Sequence, residues 1–270
     1  MILDEIVADV RDALGQRKAD CPQERLEEKV EGLAPPLELE AFLRRPGVSI
    51  IAEVKRASPS RGLLNMGLDP AELAVSYASA GAQAISVLTE EHHFRGRLAD
   101  LTDVRRALDS SDVTRPILRK DFIVDPYQLL EARAWGADAV LLITAVLETA
   151  TLETLMQRAL ALGLTPFVEV HDEGELETVL PLDPPVIGVN NRNLKDFTVN
   201  LVTTQKLVPL IPDSSLIVSE SGIHGTDQMR RLSALGVDAV LIGEALVTAT
   251  DPAATLRKLR EAGRLSEAGR

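Results

Sequence analysis

Three stretches of the chain read almost alike: Gly81-Ala-Gln-Ala-Ile-Ser-Val-Leu88, Gly136-Ala-Asp-Ala-Val-Leu-Leu-Ile143 and Gly236-Val-Asp-Ala-Val-Leu-Ile-Gly243. Each opens on a glycine that follows a helix-like segment, where a left-handed residue can end the helix. Each then enters β-branched and aliphatic residues, apolar at nearly every position, as in parallel strands covered on both faces. Five further runs share that character: Val48–Val54, Pro116–Arg119, Leu164–Glu169, Pro185–Asn190 and Ser215–Glu220. The eight runs end near residues 54, 88, 119, 143, 169, 190, 220 and 243. Helix-like segments such as Pro70–Ala80, Pro126–Trp135 and Leu152–Leu162 fill the gaps. The spacing is that of one strand plus one helix, repeated eight times. It predicts an α/β fold, a (β/α)8 TIM barrel. An open doubly wound sheet is the alternative, but no Gly-x-Gly-x-x-Gly follows the first strand.

No low-complexity linker divides the chain, so one domain is expected over 1–270, with the barrel over 48–262 and an N-terminal helical extension over 1–47. In the extension, Leu3, Ile6, Val7, Val10 and Leu14 form the stripe of an amphipathic helix. Gly15 and Pro22 are read as its end. A polar stretch follows through Pro35-Pro36, then a short helix over Glu38–Leu43.

The 270 residues are 45% hydrophobic and 26% charged, which excludes a largely disordered chain. The net charge of −12 argues against nucleic acid or an anionic membrane as the main partner. One cysteine, Cys21, permits no intrachain disulfide and no thiolate metal cluster. No apolar stretch is long enough to span a bilayer and the N-terminus lacks a secretory pattern, so the expected location is the cytoplasm.

Barrel enzymes place their chemistry at the C-terminal ends of the strands. Strand 1 here ends in Glu53-Val-Lys55, strand 3 in Arg119-Lys120-Asp121 and strand 5 in Glu169-Val-His171. Strand 6 ends in Asn190-Asn-Arg192 and strand 7 in Glu220-Ser-Gly222. Alternation puts Glu53 and Lys55 on one side. A stabilising ion-pair lattice would serve equally well at the other barrel end, so charge at five ends of one rim points to a site. Ser221-Gly222 after strand 7 and Gly243-Glu244 after strand 8 stand where barrels commonly bind phosphate. Lys55 would supply positive charge there. A valine at Gly243 is expected to block the anion and raise KM while leaving the fold intact. Ser58-Pro-Ser-Arg-Gly62 adds hydroxyls and a cation to the loop after strand 1. His92-His93 are adjacent and lack a carboxylate at ligand spacing, so no metal site is read there. His171 and His224 are read as surface or supporting residues, and Trp135 as packing.

Ile51-Ala-Glu-Val-Lys-Arg-Ala-Ser-Pro-Ser60 closely resembles the strand 1 signature of the indole-3-glycerol phosphate synthase family. Leu118–Phe122 with Asp125–Gln128, Val168–His171, Gly188–Leu194 and Val218–Ile223 resemble the family's later motifs, in order. The likeness spans essentially the whole chain. It implies ring closure, decarboxylation and dehydration of 1-(2-carboxyphenylamino)-1-deoxyribulose 5-phosphate, with no cofactor and no metal. Carried over by position, it implies Lys120 as general acid, Glu169 as the proton-transfer carboxylate and Lys55 as a substrate contact or second acid. Glu53, Asn190 and Glu220 would hold the substrate and orient the lysines. Arg192 and Ser221 would lie near the anthranilate carboxylate. Ser58, Gly222, Gly243 and Glu244 would lie on the phosphate side, Glu244 through its backbone. Phe122 belongs to the substrate-binding set. An amine lowered in pKa by cations is one way to make such an acid, and Lys120, between Arg119 and a facing Lys55, is expected to be so tuned. The family's extra helix caps the active-site face, so the Leu3–Leu14 stripe is expected on the barrel, in a monomer or weak homo-oligomer.

One residue departs from the pattern. The strand 2 loop of the family usually reads Phe-x-Gly-Ser, and here it is Phe94-Arg-Gly-Arg97. Arg97 is expected to shape the loop over the substrate. The rival barrel, phosphoribosylanthranilate isomerase, would carry a cysteine base at strand 1, whereas Cys21 precedes every strand. A lysine Schiff-base aldolase and a decayed paralogue that only binds are the other readings weighed.

Overall fold

The structure, a computed structural model, describes residues 2–59, 61–65, 67–194 and 197–264. Ser60 lies outside the described residues. Eight strands form the barrel: β1 Ser49–Val54, β2 Ala84–Leu88, β3 Ile117–Lys120, β4 Ala139–Ile143, β5 Thr165–Val170, β6 Val186–Asn190, β7 Leu216–Glu220 and β8 Ala239–Ile242. They close in sequence order, with β8 pairing β1, and the eight barrel pairings are parallel. A small antiparallel hairpin, Ala57–Ser58 with Gly62–Leu63, stands on the loop after β1. The helices are α1 Ile2–Asp20, α2 Gln23–Glu31, α3 Leu39–Leu43, α4 Pro70–Ala80, α5 Leu98–Asp109, α6 Tyr127–Ala134, α7 Thr149–Ala161, α8 Glu173–Val179, α9 Val202–Leu207, α10 Thr226–Ala234, α11 Glu244–Val247 and α12 Pro252–Ala262.

The three repeated stretches explain how the barrel holds its register. Their glycines have φ of 104° at Gly81, 95° at Gly136 and 84° at Gly236, the left-handed turn expected after a helix. The third residue of each repeat then accepts from an amide at the start of the preceding neighbour strand, its first or second residue. Gln83 Oε1 takes Ile50 N at 2.7 Å, while Asp138 Oδ2 and Asp238 Oδ2 take Ile117 N and Ile217 N at 2.8 Å. A one-residue slip would break these side-chain bonds and turn every strand inside out.

Alternation sorts the strands into two cores. Ile50, Ala52 and Val54 face the helices, whereas Ile51 joins Ala84, Leu118, Leu141, Phe167 and Leu241 inside the barrel. Leu39 and Leu43 of α3 are fully buried in that inner cluster and plug the N-terminal end. Burying two leucines contributes about 3–6 kcal/mol. Ser49 Oγ donates to Leu43 O at 2.9 Å and Thr165 Oγ1 to Glu40 Oε2 at 2.7 Å, which fixes the plug. With one end sealed, only the C-terminal mouth is left for a ligand.

The extension departs from its sequence reading in two places. α1 does not stop at Gly15 but continues to Asp20. A glycine inside a helix costs about 1 kcal/mol, which docking of the second half offsets. Arg17 pairs with buried Glu131 at 2.9 Å, Lys18 pairs with Asp125 at 2.7 Å, and Tyr127 Oη donates to Cys21 O at 2.7 Å. α2 lies in the stretch read as merely polar. Its single buried residue, Leu26, is too little for a periodic pattern to show. The stripe itself packs on the barrel: Ile6, Val10 and Leu14 are buried.

Candidate active site

One cavity occupies the C-terminal mouth, and all thirteen residues singled out from the sequence line it. Glu53, Lys55, Lys120, Glu169, Asn190 and Glu220 come from strand ends β1, β3, β5, β6 and β7. Ser58, Phe122, Arg192, Ser221, Gly222, Gly243 and Glu244 come from the loops above them.

Lys120 Nζ lies 3.0 Å from Glu169 Oε2 and 3.3 Å from Glu220 Oε2. Burial alone would lower the Lys120 ammonium. Glu169, Glu220 and Glu53 outweigh it and hold its pKa well above the ordinary lysine value. The expected lowering is therefore wrong, for two geometric reasons. Arg119 points to the opposite side of β3, where it pairs with Asp121 at 2.8 Å and Glu131 at 3.2 Å. Lys55 does not face Lys120 unopposed, since Glu53 holds it at 2.7 Å. Three carboxylates from three other strands thus set the charge of this amine, and none is its neighbour in sequence.

The carboxylates split. Burial would raise Glu169, but Lys120 and then His171 pull it well below the usual carboxylate range. Glu220 is pushed up to about 8, first by burial and then by Glu169 and Glu53, despite Lys120. Its Oε1 is buried without a hydrogen-bond partner among the described residues. Lys120, shared with Glu169, does not offset burial and the charges of Glu169 and Glu53 at Glu220, so the mouth tends to retain a proton there.

On the opposite wall, Ser221 (φ 65°) and Gly222 (φ 78°) are consecutive left-handed residues that turn the chain sharply after β7. This aims Ser221 Oγ at Asn190 Oδ1, 2.9 Å away, and the same oxygen takes Arg192 N at 3.1 Å. Glu244 turns its side chain to Arg61 Nε at 2.8 Å and lies 4.0 Å from Arg192 Nη2. Arg61 outweighs the burial that would raise the Glu244 carboxyl and holds it below its ordinary value.

Arg97 does not shape the cavity. Its Nη2 donates to Asp100 Oδ1 at 2.8 Å on the outer surface, and Arg56 grips the same buried carboxylate. A serine there could cap α5, whereas Arg97 makes no side-chain cap bond. His93 pairs with Asp9 of α1 at 2.9 Å, and the amides of His92, His93 and Phe94 bind the Glu90 carboxylate. Among the described residues no cluster of three or more histidine, cysteine or carboxylate side chains offers a metal site.

The sequence reading missed the apolar part of the wall. Phe94 and Phe197 line the cavity with Phe122, and the Phe94 and Phe122 rings lie 6.2 Å apart, tilted by 39°. Three of the chain's five phenylalanines therefore meet here, a signal that aromatic scarcity could have given. Leu3 and Ile6 of the α1 stripe line the cavity, as expected of a helix capping this face, and they are joined by Ile2 and by His224, read as a surface or supporting residue.

The closed barrel, its sealed lower end and the buried lysine–carboxylate cluster at its mouth define a (β/α)8 barrel with an ionisable site at the C-terminal ends of its strands. Solved structures agree on the barrel: 3-hexulose-6-phosphate synthase from Salmonella typhimurium superposes with a TM-score of 0.64, covering 80% of this chain and 98% of that one at 16% identity. The family model described as indole-3-glycerol phosphate synthase matches residues 3–259, and the chain belongs to that family. Relatives of that name are 47% identical in Dehalococcoides mccartyi, over 96% of this chain and all of that one, and 47% in Mycolicibacterium smegmatis, over 97% and 94%. A third, indole-3-glycerol phosphate synthase 1 of Streptomyces coelicolor, is 48% identical over 97% and 96%.

Proposed function

We propose that this mouth closes 1-(2-carboxyphenylamino)-1-deoxyribulose 5-phosphate to indole-3-glycerol phosphate with Lys120 as the first acid. Family membership fixes the overall activity, that of a carboxy-lyase in tryptophan biosynthesis acting on a small phosphorylated substrate. The observation that carries the assignment of roles is the Lys120 ammonium held between Glu169 and Glu220 in the cavity.

Ring closure turns the ketone oxygen into an alkoxide as the aromatic carbon attacks. The raised Lys120 is fully protonated at neutral pH, the form an acid must start in. A developing alkoxide is more basic even than this amine, so the proton moves as the bond forms. Loss of carbon dioxide restores the aromatic ring. Dehydration then needs an acid at the new hydroxyl and a base at the neighbouring C–H. Lys55 and Glu169 are the candidates, while Glu53 holds Lys55. The aromatic ring packs between Phe94, Phe122 and Leu194, with its carboxylate toward Arg192 and Ser221. The phosphate sits against the backbones of Gly222, Gly243 and Glu244, near Ser58 and Lys55. For Lys55 to serve an anion it must release Glu53, and Glu244 must keep its side chain on Arg61.

The stripe of α1 is spent on the barrel, which supports a monomer or weak homo-oligomer. No helix among the described residues is long and apolar enough to cross a membrane, which supports the cytoplasmic reading. Neither nucleic acid nor membrane is needed as a partner. The test is fluorescence at indole wavelengths on adding the anilino substrate. The native protein should produce it, and Lys120→Met should slow it about 10²-fold or more while product binding changes much less. Near-normal turnover in that variant would move the role to Lys55.

A further inference from the structure

The reaction has a proton balance that the cavity alone does not explain. The substrate carboxylate leaves as neutral carbon dioxide. The ketone oxygen leaves as water, having taken two protons, and one proton is given up from carbon as the indole forms. Each turnover therefore takes one proton from solvent. The groups that need it are buried: the side chains of Lys120 and Glu169 are 14% and 2% exposed. They lie in the cavity that the proposed substrate would fill.

A second route leaves the site through the barrel rim. His171, two residues beyond Glu169 and on the same side of β5, does not line the cavity. Its Nε2 lies 3.2 Å from Glu169 Oε1, off the line of a good hydrogen bond, so a small ring rotation completes the contact. Its Nδ1 lies 3.0 Å from Glu175 Oε2 on α8, a side chain 21% exposed. Glu175 is itself fixed: its Oε2 accepts His171 N at 2.8 Å and its amide donates to Asp172 Oδ1 at 2.9 Å. The charged groups facing His171 are Glu169 on its own strand and Glu175 on α8, with Asp172 next to it in the chain and Lys120 behind Glu169.

We propose that His171 and Glu175 form a proton relay that recharges Glu169, and through it Lys120, from solvent without passing the substrate mouth. This rests on the proton-transfer role given to Glu169 above. When Lys120 has given its proton to the substrate oxygen, Glu169 loses its cationic partner and becomes a better base. His171 passes the Nε2 proton to Glu169 Oε1. A half-turn of the carboxyl presents that proton to Lys120 Nζ. The imidazole, left with its proton on Nδ1, turns over so that this N–H faces Glu169 and the bare nitrogen faces Glu175, and solvent reprotonates the bare nitrogen by way of Glu175. Every proton delivered is replaced, and no electrons move between groups. Two carboxylates hold the imidazole protonated at neutral pH: burial opposes this, but Glu169 and Glu175 raise it to about 10. His171 is thus a positioning and proton-transfer residue acting through Glu169, not a substrate contact.

The experiment measures turnover of His171→Ala and Glu175→Gln at low and high imidazole concentration, at fixed pH and ionic strength. Each variant should lose about tenfold or more in kcat at low buffer, with KM within about twofold. Added imidazole should restore kcat in a saturating way and leave the native protein unchanged. A loss that ignores buffer would mean a structural role and overturn the relay, as would native turnover in both variants. Glu175→Gln keeps an oxygen for the His171 amide, so it carries the same test if His171→Ala fails to fold. Glu169→Gln separates the two readings. If it is inactive while the relay variants behave as native, only the relay falls. If it is active, the role of Glu169 falls as well.

Discussion

Gly243 stands so close to Glu53 that a Cβ built on it would lie 2.3 Å from Glu53 Oε1 and 3.1 Å from Glu53 Cβ. The glycine after β8 is thus needed by the first strand as much as by any anion. The sequence reading treated it as a loop position whose substitution would disturb phosphate alone, and the contact corrects that. Gly243→Val should displace Glu53, and with it the partner of Lys55. We expect kcat to fall about 10²-fold together with a rise in KM, since ångström-scale misplacement has that effect. Steady-state kinetics decides: a pure KM effect would restore the anion-only reading.

Removing the Lys120 ammonium should do more than slow the reaction. Lys120→Met leaves Glu169 and Glu220 buried without their shared cation. Breaking such a cluster on one side costs about 3–5 kcal/mol. Glu169, held low mainly by Lys120 against burial, should then titrate upward. Its folded pKa would rise toward or above its unfolded one, so the variant should recover stability as pH falls through the carboxylate range. Denaturant melts at pH 7 and pH 5 test this. A variant equally destabilised at both would show that the cation contributes no such linkage.

The pH dependence of the native protein follows from two groups of the same sign. Glu220 is raised to about 8 by burial and its acidic neighbours, and His171 to about 10 by two carboxylates that overcome burial. Both bind a proton more tightly folded than unfolded. The stability they confer is complete below the unfolded values, about 4.5 and 6.5, and is lost as pH rises through the folded ones. Stability should therefore decline from about pH 5 to pH 10, by at most about 1.4 kcal/mol per pH unit for each proton linked. Glu220→Gln should flatten the part of that slope below pH 8. An unchanged slope would place the retained proton on another group.

How far this site was legible in the sequence depended on whether a property belongs to one stretch of chain or to several. The strands, the Asp138 and Asp238 repeats and the thirteen lining residues follow from local patterns and motif order. The charge of Lys120 does not, because Glu53, Glu169 and Glu220 reach it from three other strands. Arg119 looked like its cationic neighbour only because adjacency in sequence hides the alternation of the strand. α2 was invisible because it buries one leucine, and the run of α1 past Gly15 depends on contacts to Glu131, Asp125 and Tyr127. The apolar wall is drawn from α1 and three separate loops, so no window of sequence contains it.

Arg97 offers a clean negative test. Its guanidinium lies outside the cavity on Asp100, and α5 starts without a side-chain cap. Arg97→Ser would supply the missing cap, worth about 1 kcal/mol, and lose a half-exposed pair to a carboxylate that Arg56 still holds, worth about 1 kcal/mol or less. Stability should stay within about 1 kcal/mol of the native value, and kcat and KM within about twofold. A large KM change would return this residue to the substrate loop.

Ile6 tests what the extension contributes to the site. It is one of the three α1 residues on the cavity wall, and it is 3% exposed, so barrel and helix share it. The rest of α1 is fastened independently by Asp9–His93, Arg17–Glu131 and Lys18–Asp125. Ile6→Ala should therefore remove wall without releasing the helix. A buried isoleucine cut to alanine typically costs about 2–5 kcal/mol, and the lower figure is expected at a cavity edge that water can enter. The acid–base groups are untouched, so kcat should hold within about twofold. Ile6 lines the cavity in which the substrate is proposed to sit, so the expected loss is in binding, and KM should rise several-fold, in line with one or two missing methylene contacts. A fall in kcat with KM unchanged would mean instead that α1 positions the catalytic strands.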